Sequence, residues 1–217
     1  MEQRISAIEV QEKRDNRRSI FVNGRFVLGV DESVISDLGL HVGQEITEDE
    51  LQNVVRAEMI EKAKDRALRL LEYRARSRAE IARRLRKADF PEDILEDVLA
   101  RLESLGLIDD AQFSQDWVNH RVSGKKMGKR RIQYELRQKG ISTEVAEEAL
   151  SSIDSDVEYE TAKEAARRRW TKDAGADERT KRQRLASFLQ RQGFDWEIIK
   201  RVTNDLTTEA EEEWPES

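Results

Sequence analysis

Residues 99–141 read LARLESLGLIDDAQFSQDWVNHRVSGKKMGKRRIQYELRQKGI. An acidic helix end, a glycine junction, an aromatic helix and a basic helix follow one another there, and the same pattern comes before and again after it. Apolar positions show the recurrence best, because they must meet a core whatever the surface carries. Ile81, Leu85, Phe90, Ile94 and Val98 match Ile132, Leu136, Ile141, Val145 and Ala149. Leu185, Leu189, Phe194, Ile198 and Val202 repeat the spacing a third time. The step from Leu85 to Leu136 to Leu189 is about fifty residues, in the range of helical repeat arrays.

Composition favours thin modules over one deep globule. Of 217 residues 39% are charged, only two are proline and 6% are aromatic. The mean hydropathy is −0.80. Such a chain has a strongly helical prior and little apolar material to concentrate in one place. The absence of cysteine removes disulfides, thiolate metal ligands and cysteine nucleophiles together. Residues 1–10 lack a signal-peptide core and no run approaches a membrane span, so a cytoplasmic protein without membrane contact is expected.

The expected fold is mainly α: an elongated tandem array of three three-helix repeats, preceded by a small N-terminal β-hairpin or three-stranded sheet domain. Residues 1–50 form the β-rich domain, in which Ile5, Ile8 and Val10 open a strand. Two further strands, 19–22 and 25–30, flank Asn23-Gly24, a strong hairpin signal. A short helix over 31–38 ends at Gly39, and Gly43 marks a turn. The first repeat, 51–106, opens with a long helix over 48–73 started by the Thr47-to-Glu50 capping box. Its apolar line is Leu51, Val55, Met59, Ala63, Ala67 and Leu71. Ser77 caps the next helix, Pro91 suits the first turn of the third, and Gly106 stops it.

The second repeat, 107–154, has helices over 110–122, 128–138 and 143–152, the last capped by Ser142. Helices over 156–170, 178–192 and 196–206 make the third, 155–206. Fifty residues are few for an independent fold, so neighbouring repeats are expected to share apolar faces. Residues 207–217, acidic and without an apolar period, read as a disordered tail.

The formal charge of −6 hides a segregation. Arg74, Arg76, Arg78, Arg83, Arg84, Arg86 and Lys87 stand against Glu80 alone. An acidic block from Asp89 to Asp116 follows, and the sign reverses again from Arg121 to Lys139.

With these residues in view, the central stretch resembles the RecX family of recombination regulators. The resemblance rests on Ser77-x-x-Glu80-Ile81, Leu102-x-x-x-Gly106-x-Ile108-Asp109-Asp110 and Phe113-x-x-x-Trp117-Val118-x-x-Arg121. Gly128-x-x-Arg131-Ile132-x-x-Glu135-Leu136-x-x-Lys139-Gly140-Ile141 completes it. It is specific over about 67–150, weaker in the third repeat and only architectural before Leu51. One departure is Ala88-Asp89-Phe90, where the other repeats carry Gly140 and Gly193.

The resemblance implies tandem modules that lie along the groove of the RecA–single-stranded DNA filament. It also implies inhibition of strand exchange, DNA-dependent ATP hydrolysis and RecA-assisted repressor cleavage. RecA and its filament are thus the expected partners of a monomer that needs no cofactor. Weak direct DNA binding stays open beside them.

The basic second helices supply the candidate contacts: Arg83, Arg84 and Lys87; Lys129, Arg130, Arg131 and Lys139; Lys181, Arg182 and Arg184. Such groups neutralise phosphates without reading bases, or pair with carboxylates of a protein; a solvated helix face is the alternative for any one of them. The acidic third helices argue against a helix-turn-helix reader, because Glu92, Asp93, Glu96, Asp97, Glu144, Glu147 and Glu148 would face phosphates. Gly124-Lys-Lys-Met-Gly128-Lys129 has the wrong glycine spacing for a nucleotide-binding loop, though it has loop chemistry suited to a phosphate. Phe113, Trp117 and Trp170 fall on inner faces, while Trp196 sits at a helix start. His41 and His120 have no metal-ligand spacing, and no catalytic constellation is present, so no enzyme is expected. A general DNA-binding protein acting without RecA and a pure protein scaffold remain the rivals.

Overall fold

The computed structural model describes residues 3–12, 14–173 and 175–213. They fall into two compact units, Met1–Arg76 with Ile81–Ile108 and Ser77–Glu80 with Asp109–Ser217. In the first, β1 (Ile5–Gln11), β2 (Arg14–Val22) and β3 (Arg25–Asp31) form an antiparallel sheet in sequence order. Asn23 and Gly24 take φ of 48° and 76°, the pair of left-handed residues that matches the twist of a two-residue hairpin. The Asp31 carboxylate accepts from the Ser33 N–H and starts α1 (Glu32–Asp37).

Thr47 and Glu50 exchange hydrogen bonds in the expected capping box, worth about 1 kcal/mol, and start α2 (Glu48–Tyr73). The first half of this helix closes the sheet's core, where Val54 meets Ile5, Ile20, Val22, Val30, Val34, Leu40 and Ile46. Its buried line differs from the apolar one read from the sequence. Val54, Glu58, Ala63 and Ala67 are buried, whereas Met59 is 37% exposed. A carboxylate replaces an apolar side chain there because it is paired: Glu58 Oε1 lies 2.8 Å from Arg17 and 3.1 Å from Lys62, and Oε2 accepts from the Asp31 N–H at 2.7 Å.

The second half of α2 lends Ala63 and Ala67 to another core, with Ile81 and Leu85 of α3 (Arg78–Arg86). Ile94, Leu95, Val98, Leu99 and Leu102 of α4 (Glu92–Ser104) complete it. Pro91 stands at the N-cap, one residue before the helix rather than inside it. Asp89, in the departure from the glycine pattern, adopts φ of 61°, beside 79° at Gly140 and 87° at Gly193. Aspartate tolerates this region better than most residues, so the turn keeps its left-handed step without glycine.

In the second unit α5 (Asp110–Lys125), α6 (Lys129–Gln138) and α7 (Thr143–Ser151) enclose Phe113, Val118, Ile132, Leu136, Ile141 and Leu150. A separate core lies among α8 (Ser155–Trp170), α9 (Glu178–Gln192) and α10 (Trp196–Glu213). The expectation of shared apolar faces is therefore corrected here: each trio buries its own stripe, and the two meet through backbone and charge. A second correction concerns the tail. Helix α10 continues through Thr207 to Glu213, because Leu206 and Thr207 are buried and Glu209 reaches Lys163 at 2.7 Å. Residues 214–217 of the expected disordered tail lie outside the described residues.

Candidate functional site

The basic second helices carry their charges in three different states. Arg83 and Arg84 on α3, and Lys87 just past its end, are exposed and make no ion pair among the described residues. Their neighbour Arg86 is bonded to Glu92. That bond raises the guanidinium's pKa and holds the carboxyl below its ordinary value.

On α6 the charges are largely engaged. Arg130 pairs with Asp195, and Arg131 donates to the Arg191 carbonyl at 3.2 Å. Lys139, just past the helix, binds Glu80 at 2.9 Å and lies 4.5 Å from the centre of the Trp117 ring. Glu80 is little exposed, as is Lys139, so this contact is structural and removes Lys139 from the free surface. Lys129 gives its backbone N–H to Glu158 at 3.2 Å and keeps its ammonium unpaired among the described residues.

On α9, Lys181 lies 5.6 Å from the Trp170 ring centre. Arg182 reaches Glu178 at 3.3 Å and Asn204 at 2.8 Å. The Thr180 hydrogen bonds, with a smaller effect of Arg184, hold the Asp177 carboxyl below its usual range. These three residues sit toward the start of α9, while Arg191 at its end meets α6, roughly 15 Å away at 1.5 Å per residue.

Two equivalent joints set where the second helices begin. Ser77 Oγ accepts from the Glu80 N–H at 3.2 Å and donates to the Lys139 carbonyl at 2.6 Å, while the Arg78 N–H donates to Asp110 at 2.8 Å. At the corresponding place in α6, the Gly128 N–H donates to the Gln192 carbonyl at 3.0 Å and the Lys129 N–H to Glu158. In both, the N–H that opens a second helix is met by an acid from the first helix of the following trio. Unpaired N–H groups at a helix start favour such a carboxylate.

Chain-wide comparison with known families matches each of these segments. The RecX N-terminal domain matches residues 3–47, and the first, second and third RecX three-helix domains match 63–102, 109–150 and 156–203. A regulatory protein RecX of Clostridioides difficile is 35% identical over 202 residues, covering 93% of this chain and 95% of its own. The chain belongs to the RecX family. A RecX of Streptomyces coelicolor is 36% identical over 71% of this chain and 82% of its own. A crystal structure of regulatory protein RecX matches 93% of this chain and 99% of its own with a TM-score of 0.79 at 29% identity. The RecX of Lactobacillus salivarius matches 70% and 99% with a TM-score of 0.65 at 27% identity.

Within this RecX fold the acidic third helix of the first trio, α4, is partly neutralised by its own chain. Arg56 of α2 pairs with both Asp93 and Asp97 of α4, a partner invisible in a reading confined to one helix. Trp117 is structural, as its inner-face position implied: it stacks on Phe113 at 5.7 Å, donates to Glu135 at 3.0 Å and lies 3.9 Å from the Arg121 guanidinium. Trp196 is 59% exposed. Among the described residues no group of His, Asp and Glu could hold a metal, and no helix is long and apolar enough to cross a membrane. Sequence reasoning passed over the run Arg167-Arg168-Arg169 at the end of α8, although three consecutive arginines were signal enough.

Proposed function

We propose that this chain is a non-enzymatic regulator of RecA, chiefly an inhibitor, which binds the RecA–single-stranded DNA filament along its groove. It acts in the cytoplasm as a monomer, and its effects reach recombination, repair and the SOS response. The observation that carries this reading is membership of a family of regulatory proteins over 93% of the chain, joined to Arg83 and Arg84 on α3 and Lys87 just past it, exposed and without an ion pair among the described residues. A filament offers phosphates and protein carboxylates together, which suits a surface carrying both signs.

Of the ten candidates, Arg83, Arg84, Lys87 and Lys129 are the side chains left to a partner. Arg130, Arg131, Lys139 and Arg182 serve intramolecular bonds first, so their replacement would disturb the fold as well as any contact. The test is the DNA-dependent ATPase of RecA on single-stranded DNA as the protein is titrated in. Inhibition by the parent chain, weakened at least tenfold in Arg83→Glu/Arg84→Glu/Lys87→Glu, is expected. An ATPase unaffected by the parent chain rejects the RecA reading and leaves general DNA binding as the alternative.

A further inference from the structure

The stretch Gly124-Lys-Lys-Met-Gly128-Lys129, unsuited to a nucleotide, lies beside a cavity of about 250 Å³ in the second unit. Lys125 ends α5, and Lys126 follows it with a left-handed φ of 54°. Arg168 and Arg169 come from the last turn of α8, and Lys172 from the turn after it. Ala165 and Phe188 add apolar lining. Five cations line this space, and no acid is among the lining residues.

The dipole of α8 accounts for cations at its own C-terminal end. The dipole of α5 does the same for Lys125 and Lys126 at its end, but neither dipole accounts for the two helix ends, from different trios, turning their cations onto one space. Lys126 is bonded to Glu164, whose carboxyl is held below its ordinary range by that bond and by the charges of Arg168 and Arg167. The side chains of Lys125, Arg168 and Lys172 make no hydrogen bond or ion pair with any described residue. Like charges that converge without partners repel, and an anion placed between them relieves the repulsion.

We propose that this cavity takes a phosphodiester of single-stranded DNA, with Lys125, Arg168 and Lys172 around the phosphate and Phe188 against the adjoining sugar or base. The assignment rests on the reading above that the partner carries single-stranded DNA. A volume of about 250 Å³ is below the roughly 300–1,000 Å³ of sites that enclose a whole small ligand, which fits a backbone segment passing through. An aromatic ring beside cations is the arrangement that holds a strand without reading its sequence.

The experiment measures anisotropy of a fluorescent twenty-nucleotide oligo-dT, without RecA, over a salt series. The parent chain is compared with Lys125→Gln/Arg168→Gln/Lys172→Gln, all three being exposed positions, and with Arg83→Gln/Arg84→Gln/Lys87→Gln. Each phosphate contact on a single strand contributes about 0.7 to the salt slope. The cavity variant is expected to lose roughly tenfold or more in affinity at low salt and about 0.7 in slope, the share of the one phosphate it holds. A second readout uses the parent chain alone: amine acylation of Lys125 and Lys172 is slowed by the oligonucleotide, while that of exposed Lys200 is not. Equal affinity of cavity variant and parent, absence of binding by the parent, or acylation unchanged by DNA overturns the assignment. The RecA ATPase titration is run on the same proteins. Loss of the cavity's DNA binding with inhibition retained supports the cavity, whereas a parent chain that binds oligo-dT through the cavity but leaves RecA untouched rejects only the RecA reading.

Discussion

The backbones of Gly128 and Gly193 touch. A Cβ on Gly128 would lie 2.5 Å from the carbonyl carbon and oxygen of Gly193, and one on Gly193 would lie 2.4 Å from the Arg131 nitrogen. Two hydrogen bonds fasten the contact, from Gly128 N–H to the Gln192 carbonyl at 3.0 Å and from Arg130 N–H to the Gly193 carbonyl at 3.1 Å. Gly193 meets two demands at once, this close approach and the left-handed step that ends α9. Gly128 meets only the first.

Gly128→Ala should therefore destabilise the chain by about 2–3 kcal/mol, since the obstacle is backbone that has nowhere to move. Thermal melting should fall by roughly 4–12 °C for a chain of this size. Gly175→Ala, with nothing within 4 Å of an added Cβ, should stay within about 0.5 kcal/mol. Equal melting of the two variants would show that the joint yields more easily than its geometry implies.

Glu58 ties the sheet to α2 through the Arg17 guanidinium and the Asp31 N–H. Its side chain is 5% exposed and that of Arg17 15%, so removing one partner leaves a largely buried charge uncompensated. Glu58→Ala should cost about 3 kcal/mol in urea unfolding followed by circular dichroism. Glu61→Ala, three residues along the same helix, is the control and should cost less than half as much.

Asp89 holds a conformation that glycine adopts freely. Asp89→Gly should raise stability by up to about 1 kcal/mol, because relief of the left-handed strain outweighs the added freedom of the unfolded chain. A lower midpoint in denaturant would mean that the Asp89 side chain contributes a local bond worth more than the strain.

Glu209 holds the end of α10 to α8 through Lys163, and that bond, with the charges of Lys163 and Arg167, keeps its carboxyl below the ordinary value. A depressed folded pKa adds stability that is complete above the unfolded glutamate value, about pH 4.3. It is lost as pH falls through the lower folded value. Lys163 is shifted up, chiefly by the same bond, so its share is complete below its unfolded value and lost in stronger alkali. Amide exchange at 206–209 should thus quicken, beyond the intrinsic trend, as pH falls below about 4.3. Lys163→Met should flatten that rise; an unaltered profile would remove the clamp from the account. The effect is modest because Glu209 is substantially exposed.

The repeat, its helices and its turns were legible in the sequence because they depend on neighbours in the chain. Ile81 and Leu85 had to share a face wherever the helix lay, Asn23-Gly24 had to turn, and Thr47 with Glu50 had to cap. Only the tertiary structure decided what each charge does. Lys87 and Lys139 each directly follow the second helix of their repeat, yet one stands exposed and the other is bound between Glu80 and Trp117. The same holds for Glu58, which interrupts an apolar line because Arg17, far off in sequence, arrives beside it, and for Thr207, kept helical by burial the local composition did not announce. Periodicity reports which face turns inward, a property of one helix. A charge's partner is fixed by which other element packs against it, and that information is not local to any stretch of the chain.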